Sequence, residues 1–179
     1  MQVLGNLHLK CLSLKKNNAV AEIICSNCEN AFEVDDTLGY VFHASDPIPP
    51  STSKWIRSLK KPSSEICGGC SGAMTEHLSY AEPPKIVIME YPYCNMKTSH
   101  KLNIVADGQE VQLRLRGIIY HGDNHFTSRI FSPTGQVWFH DGMTTKANCI
   151  EDGQLSDKSN SDLRYYEDQE LVLAVYSQL

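Results

Sequence analysis

Two short motifs, Cys25-Ser26-Asn27-Cys28 and Cys67-Gly68-Gly69-Cys70, constrain this chain more than anything else in it. Each places two thiols one tight turn apart, and such a pair supplies half of the tetrahedral thiolate set that zinc prefers. Two pairs fill all four positions and leave none for water. The expectation is a structural Zn2+ held by Cys25, Cys28, Cys67 and Cys70, a site that stabilises the fold and activates nothing. Gly68 and Gly69 are expected to let the knuckle backbone close on the sulfurs. The 38 residues between the pairs exceed the gap of common zinc ribbons. Two unrelated thiol pairs, or a redox Cys-x-x-Cys, therefore stay open on the residues alone, although a redox motif belongs in a βαβ context and needs no second copy. Cys11, Cys94 and Cys149 have no partner pattern.

An odd total of seven cysteines, with nothing resembling a signal peptide over Met1 to Lys10, argues for a reducing compartment, cytoplasm or nucleus. At 179 residues the chain suffices for one domain, or one domain with a metal-held appendage. A hydrophobic share of 41% fits a globular chain and excludes wholesale disorder. The net charge of −5 argues against a sequence-blind nucleic-acid binder, which carries a basic excess. The longest apolar runs, Ile86 to Met89 and Leu171 to Tyr176, are too short to span a bilayer.

Strand signals dominate. Ala19 to Cys25, Leu38 to His43 and Lys85 to Tyr91 are short β-branched or aromatic runs, and Asp46 to Ser53 is a proline- and serine-rich loop. Trp55 to Lys61 reads as one short helix ended by Pro62. The last third is a meander of Glu110 to Tyr120, Phe126 to Phe131, Gln136 to His140 and Leu171 to Tyr176. Ile150 to Arg164, rich in Asp, Ser and Asn, reads as a surface loop.

Folding Phe126–Phe131 back on Gln136–His140 around Ser132, Pro133 and Thr134 sets Phe131 opposite Gly135 and His125 opposite Asp141. Opposed residues lie about 5 Å apart at Cβ, within reach of an imidazole–carboxylate hydrogen bond. A one-residue slip is expected to leave them diagonal neighbours. Such a pair is the base and orienter of a nucleophile–base–orienter triad. An ordinary surface ion pair fits the same residues.

Taken together, the order of these features resembles the C-terminal half of a ubiquitin-specific protease, a papain-like cysteine peptidase family. Two Cys-x-x-Cys pairs come first. Pro83-Pro84-Lys85-Ile86-Val87-Ile88-Met89-Glu90-Tyr91 is similar to the family's next strand, and Ile118-Ile119-Tyr120-His121-Gly122-Asp123-Asn124-His125-Phe126-Thr127 to its histidine box. Val137-Trp138-Phe139-His140-Asp141 and Leu171–Tyr176 resemble its last strands. The resemblance covers roughly residues 19 to 178. It implies an α+β, mostly β fold, in which an antiparallel palm-like sheet (83–179) carries a zinc-ribbon fingers extension (19–82), a partial papain-like fold. It makes His125 the general base, Asp141 its orienter, and ubiquitin or a ubiquitin-like modifier the partner, gripped between fingers and core.

Three features depart from the family pattern. Asn124 stands where glycine is usual, the turn before His125 is very short, and no Asn-x-Gly-Asn-Thr-Cys-like box precedes the fingers. Gly5-Asn6 with Cys11 does not match that box. The expectation is a domain incomplete or inactive by itself, with the N-terminal half supplied in trans or by a longer product of the same gene. A non-catalytic ubiquitin-binding module and an unrelated zinc-ribbon interaction module stay open beside it.

Overall fold

A computed structural model describes residues 19–34, 41–43, 48–58, 61–80, 82–91, 95–106 and 108–178. The chain forms two compact units: Met1–Tyr40, Ile56–Pro84 and Ile104–Val111 make one, and Val41–Trp55, Lys85–Asn103 and Gln112–Leu179 the other. The fold class is as expected: mostly β, with few helices.

The first unit is built from two hairpins. Strand β1 (Ala19–Cys25) pairs antiparallel with β2 (Ala31–Val34), and β4 (Lys61–Ile66) with β5 (Ala73–Tyr80). β5 also pairs with β1 along its whole length, from Ala19↔Tyr80 to Cys25↔Met74. That register brings the two hairpin turns, and with them the two Cys-x-x-Cys motifs, to the same end of the sheet. Of these strands only β1 was legible, because β2, β4 and β5 lack clean apolar alternation. Pro62 lies inside β4 and does not serve as a helix stop.

In the second unit, β3 (Val41–His43) runs parallel to β6 (Ile86–Glu90), Ser51 and Lys97 form an isolated parallel bridge, and the strand pairings that follow are antiparallel. From β6 the order continues through β13 (Gln169–Ser177), β8 (Gln109–Gly122, of which the residues from Gln112 belong to this unit), β9 (His125–Phe131) and β10 (Gln136–His140) to β11 (Ile150–Gln154); β7 is Lys101–Ala106. Val87, Met89, Ile118, Tyr120, Val137, Leu171, Ala174 and Tyr176 are buried along these strands and form the core of the unit. The strand read at Leu38 to His43 is described only from Val41, and the loop read at Asp46 to Ser53 only from Ile48; the earlier residues of each lie outside the described set.

The short helix α1 is Thr52–Ser58, three residues earlier than its apolar residues imply. Ser51 caps it, its Oγ accepting from the Lys54 N–H at 3.3 Å. The helix read from sequence ends at Lys61; residues 59 and 60 lie outside the described set, and Lys61 is the first residue of β4. Thr52 is fully buried, shares a hydrogen bond with the Tyr176 hydroxyl at 3.2 Å, and accepts from the Ser99 N–H at 2.8 Å.

Ile150 to Arg164 is not a loop. It contains β11, a 3-10 turn at Leu155–Asp157, and helix α2 (Asn160–Arg164). Ser159 and Asp162 close a reciprocal capping box, and Leu163, the one large apolar residue of the helix, is fully buried. The Tyr120 hydroxyl donates to the Leu163 carbonyl at 3.0 Å and accepts from Arg129 at 3.0 Å; burial pushes this phenol up to about 12. Strand β12 (Tyr165–Tyr166) follows and turns back into β13. Arg129, 5% exposed, ties this region down through Asp152 at 2.6 Å and the Asp162 carbonyl.

Candidate metal centre and candidate active site

The four sulfurs of Cys25, Cys28, Cys67 and Cys70 all lie within 4.8 Å of one another. Cys25–Cys70 and Cys70–Cys28 are 3.4 Å apart, and Cys28–Cys67 3.6 Å. A zinc–sulfur distance of about 2.3 Å implies a tetrahedral edge of about 3.8 Å, so the cluster has the size of a Zn2+ cage. The two knuckles are built alike. Cys25 N donates to Asn30 O and Cys67 N to Gly72 O, both at 3.0 Å; Glu29 N returns to Cys25 O, and Ser71 N to Cys67 O. Glu29 and Ser71 both adopt φ 58°. The Asn27 N–H draws the Cys25 thiol down to about 6, while the bond with Cys25 pushes Cys70 up to about 12. Four thiolates this close repel unless a divalent cation lies among them. The donor set fits structural zinc, and the chain carries it as a four-cysteine site.

The glycines expected to shape this turn are not the ones that do. A Cβ on Gly68 would meet nothing within 4 Å, and one on Gly69 would make ordinary contact. On Gly72 it would lie 2.9 Å from Asn27 Nδ2 and 3.0 Å from Cys25 Sγ. Gly72 closes the knuckle.

In the second unit, His125 Nε2 is 2.9 Å from Asp141 Oδ1. The two residues are not directly opposite. Phe131 pairs with Val137, and the last pair of the ladder is His140↔Ser128. Extended by one more pair, this register sets Asp141 across from Thr127, with His125 on the diagonal. The loop has the expected length but starts one residue later. Gly135 N donates to Ser132 O at 3.1 Å, Ser132 N to Gln136 O at 2.9 Å, and Gly135 has φ 89°. This is a type I turn with proline at its second position, followed by a left-handed residue that only glycine fills easily. Moving the loop by one residue moves the register by two. Parity is preserved, so the imidazole and the carboxylate keep a common face. A slip of one would have turned them to opposite faces, contrary to the expectation that they would stay neighbours.

The short turn before His125 is Asp123-Asn124, at φ 50° and 56°, between Gly122 and His125, which pair. That is a type I′ hairpin, in which both central residues are left-handed. Asparagine tolerates this backbone nearly as glycine does, so Asn124 keeps the geometry while departing from the family's residue.

Asp141 is held on all sides. Its Oδ1 also accepts from the Met143 N–H at 2.8 Å and its Oδ2 from the Thr144 hydroxyl at 2.8 Å. Burial raises its pKa, but these donors and His125 outweigh burial and hold it below the usual carboxylate range. Being ionised, it only accepts. The shared hydrogen therefore sits on His125 Nε2, and in the neutral imidazole the lone pair is then on Nδ1. Beside the pair is a cavity of about 470 Å³, lined by His125, Asp141, Phe139, Tyr166 and Gln169 among others. Phe139 and Tyr166 stack at 4.0 Å. Further carboxylates line it, and its described lining residues include no cysteine, lysine or arginine. Met143 N–H and Thr144 escaped sequence reasoning, because a loop that folds back on its own aspartate leaves no periodic signal. Cys149 is exposed, and Cys11 and Cys94 lie outside the described residues.

No family model matches the chain, and no curated protein matches it by sequence. Solved structures do match. The chain is similar to a chain of the SAGA Ubp8/Sgf11/Sus1/Sgf73 DUB module bound to ubiquitin aldehyde, with a TM-score of 0.60 and 13% identity over 90% of this chain and 40% of that one. It is similar to a SAGA DUB module bound to monoubiquitin (TM-score 0.58, 14% identity, 90% and 40% covered). A yeast SAGA DUB module gives a TM-score of 0.55 at 14% identity, with 90% and 40% covered. The chain thus spans about 40% of the length of the chains it matches. Over that part it shares their ubiquitin-protease-like fold.

Proposed function

We propose that this chain is a ubiquitin-specific-protease-like domain that supplies the base and orienter of a thiol-dependent isopeptidase and binds ubiquitin or a ubiquitin-like modifier. The observation that carries the reading is the His125–Asp141 pair. In a complete site of this class, Nδ1 takes the proton of a cysteine thiol, and the thiolate attacks the isopeptide carbonyl. Asp141 fixes the tautomer and stabilises the imidazolium that forms. The zinc-held hairpins hold structure and take no part in the chemistry. The nucleophile is the missing component: with no matching cysteine box in the sequence, the chain alone binds without hydrolysing, and a second segment, in the same polypeptide or in trans, provides the thiol. The compartment proposed is the cytoplasm or nucleus, a reading supported by cysteines that gather as metal ligands and not as disulfides. Among the described residues no helix is long and apolar enough to cross a membrane.

Titrating 15N-labelled ubiquitin with the zinc-loaded chain tests this. Saturable shifts at one-to-one stoichiometry are expected, with no covalent adduct from a ubiquitin–vinyl electrophile. An unperturbed ubiquitin spectrum would overturn the ubiquitin reading; an adduct lost in Cys11→Ser would overturn the assignment of a missing nucleophile.

A further inference from the structure

We infer that Gln169 is a positioning residue for His125; the inference rests on the base-and-orienter reading above. His125 is the first residue of β9, directly after the two-residue turn, where a strand end frays most readily. Its partner across the ladder is Gly122, which offers no side chain to brace the ring. Asp141 fixes one edge of the imidazole but does nothing for the backbone that carries it.

Gln169, the first residue of β13, supplies that second anchor. Its Nε2 donates to the His125 carbonyl at 3.3 Å, and its Oε1 accepts from the Thr127 hydroxyl. One amide thus binds two successive cavity-facing residues of β9, each through a different end. The carbonyl fixes the orientation of the amide, since flipping it would set Oε1 against the His125 carbonyl oxygen, acceptor against acceptor. Its own place is fixed as well. A Cβ on Gly122 would come 2.9 Å from the Asp168 carbonyl oxygen and 3.1 Å from Gln169 Cα, so the two hairpin tips are packed backbone against backbone. Glu167, at φ 50°, makes the tight turn that delivers Gln169 to this position. A neighbouring hairpin therefore holds the base where the orienter can reach it.

The test is proton exchange at His125 Nε2 in the zinc-loaded chain, read by NMR with 15N-labelled histidine. The wild type is expected to give an Nε2–H signal protected from exchange. Gln169→Glu keeps the acceptor for Thr127 and removes the donor to His125 O; it is expected to speed that exchange about five- to tenfold, as loss of one hydrogen bond allows. Gln169→Ala is expected to do at least as much. If Gln169→Ala fails to fold, Gln169→Glu decides. Wild-type exchange rates in Gln169→Glu would overturn the positioning role, because a purely structural glutamine lowers the melting temperature without moving this signal. Absence of a protected Nε2–H in the wild type would overturn the base-and-orienter reading, and the inference with it; the two failures are distinct.

Discussion

Asp141 shows how little of a site resides in the residue that names it. Its carboxylate accepts from a ring, a backbone amide and a hydroxyl, and only the first of these was visible in the sequence. Replacing it with alanine leaves three donors without their acceptor and is expected to cost about 1–3 kcal/mol in denaturant melts. The pH dependence has a definite sign. The folded pKa lies below the unfolded value, so Asp141 contributes stability above about pH 4 that is lost as pH falls through its folded pKa. Wild type and Asp141→Asn should therefore converge in stability on acidification; a gap that widens toward low pH would contradict the assignment. At the other site the decisive residue is Gly72. Gly72→Ala is expected to lower zinc retention against a chelator, while Gly68→Ala leaves it unchanged, because only the former drives a methyl group against Cys25 Sγ.

Among the elements, strands with alternating or continuous apolar runs were legible to within a residue or two. β1 and β10 have the bounds read from sequence, and β8, β9 and β13 are slightly longer. Elements held by local polar chemistry were not. α2 hides in a run of Ser, Asn and Asp, because its start is a Ser159–Asp162 capping box and its only large apolar residue is Leu163. Ser159→Ala is expected to lower stability by about 1 kcal/mol, a melting shift of roughly 2–4 °C for a chain this size. An unchanged melt would show that α2 is held by Leu163 alone. The β9–β10 hairpin teaches a related lesson. The pairing of His125 with Asp141 survived a displaced loop because two residues of slip conserve strand parity, and the position of the loop was legible in Gly135 all along.

For the whole molecule, the four-cysteine cluster was legible from spacing, since tetrahedral coordination demands four ligands and the sequence offers two matched pairs. No nucleophile was legible, since the sequence holds no matching cysteine box, and the chain spans about 40% of its structural neighbours' length. The two units should answer metal removal differently. In the first, the buried cluster of Ile23, Cys25, Cys67 and Met74 draws half its members from the zinc ligands. Chelation is expected to abolish amide protection in β1, β2, β4 and β5, while β8, β9 and β13, whose buried residues include no ligand, stay protected. Uniform loss, or none, would contradict that division. The central claim is that a carboxylate fixes the tautomer of an imidazole so that its other nitrogen can act as a base. Long-range 1H–15N correlation of the His125 ring at neutral pH measures this directly. The hydrogen is expected on Nε2, with Nδ1 bearing the lone pair and the preference lost in Asp141→Ala; a hydrogen on Nδ1, or a mixed population indifferent to Asp141, would contradict it.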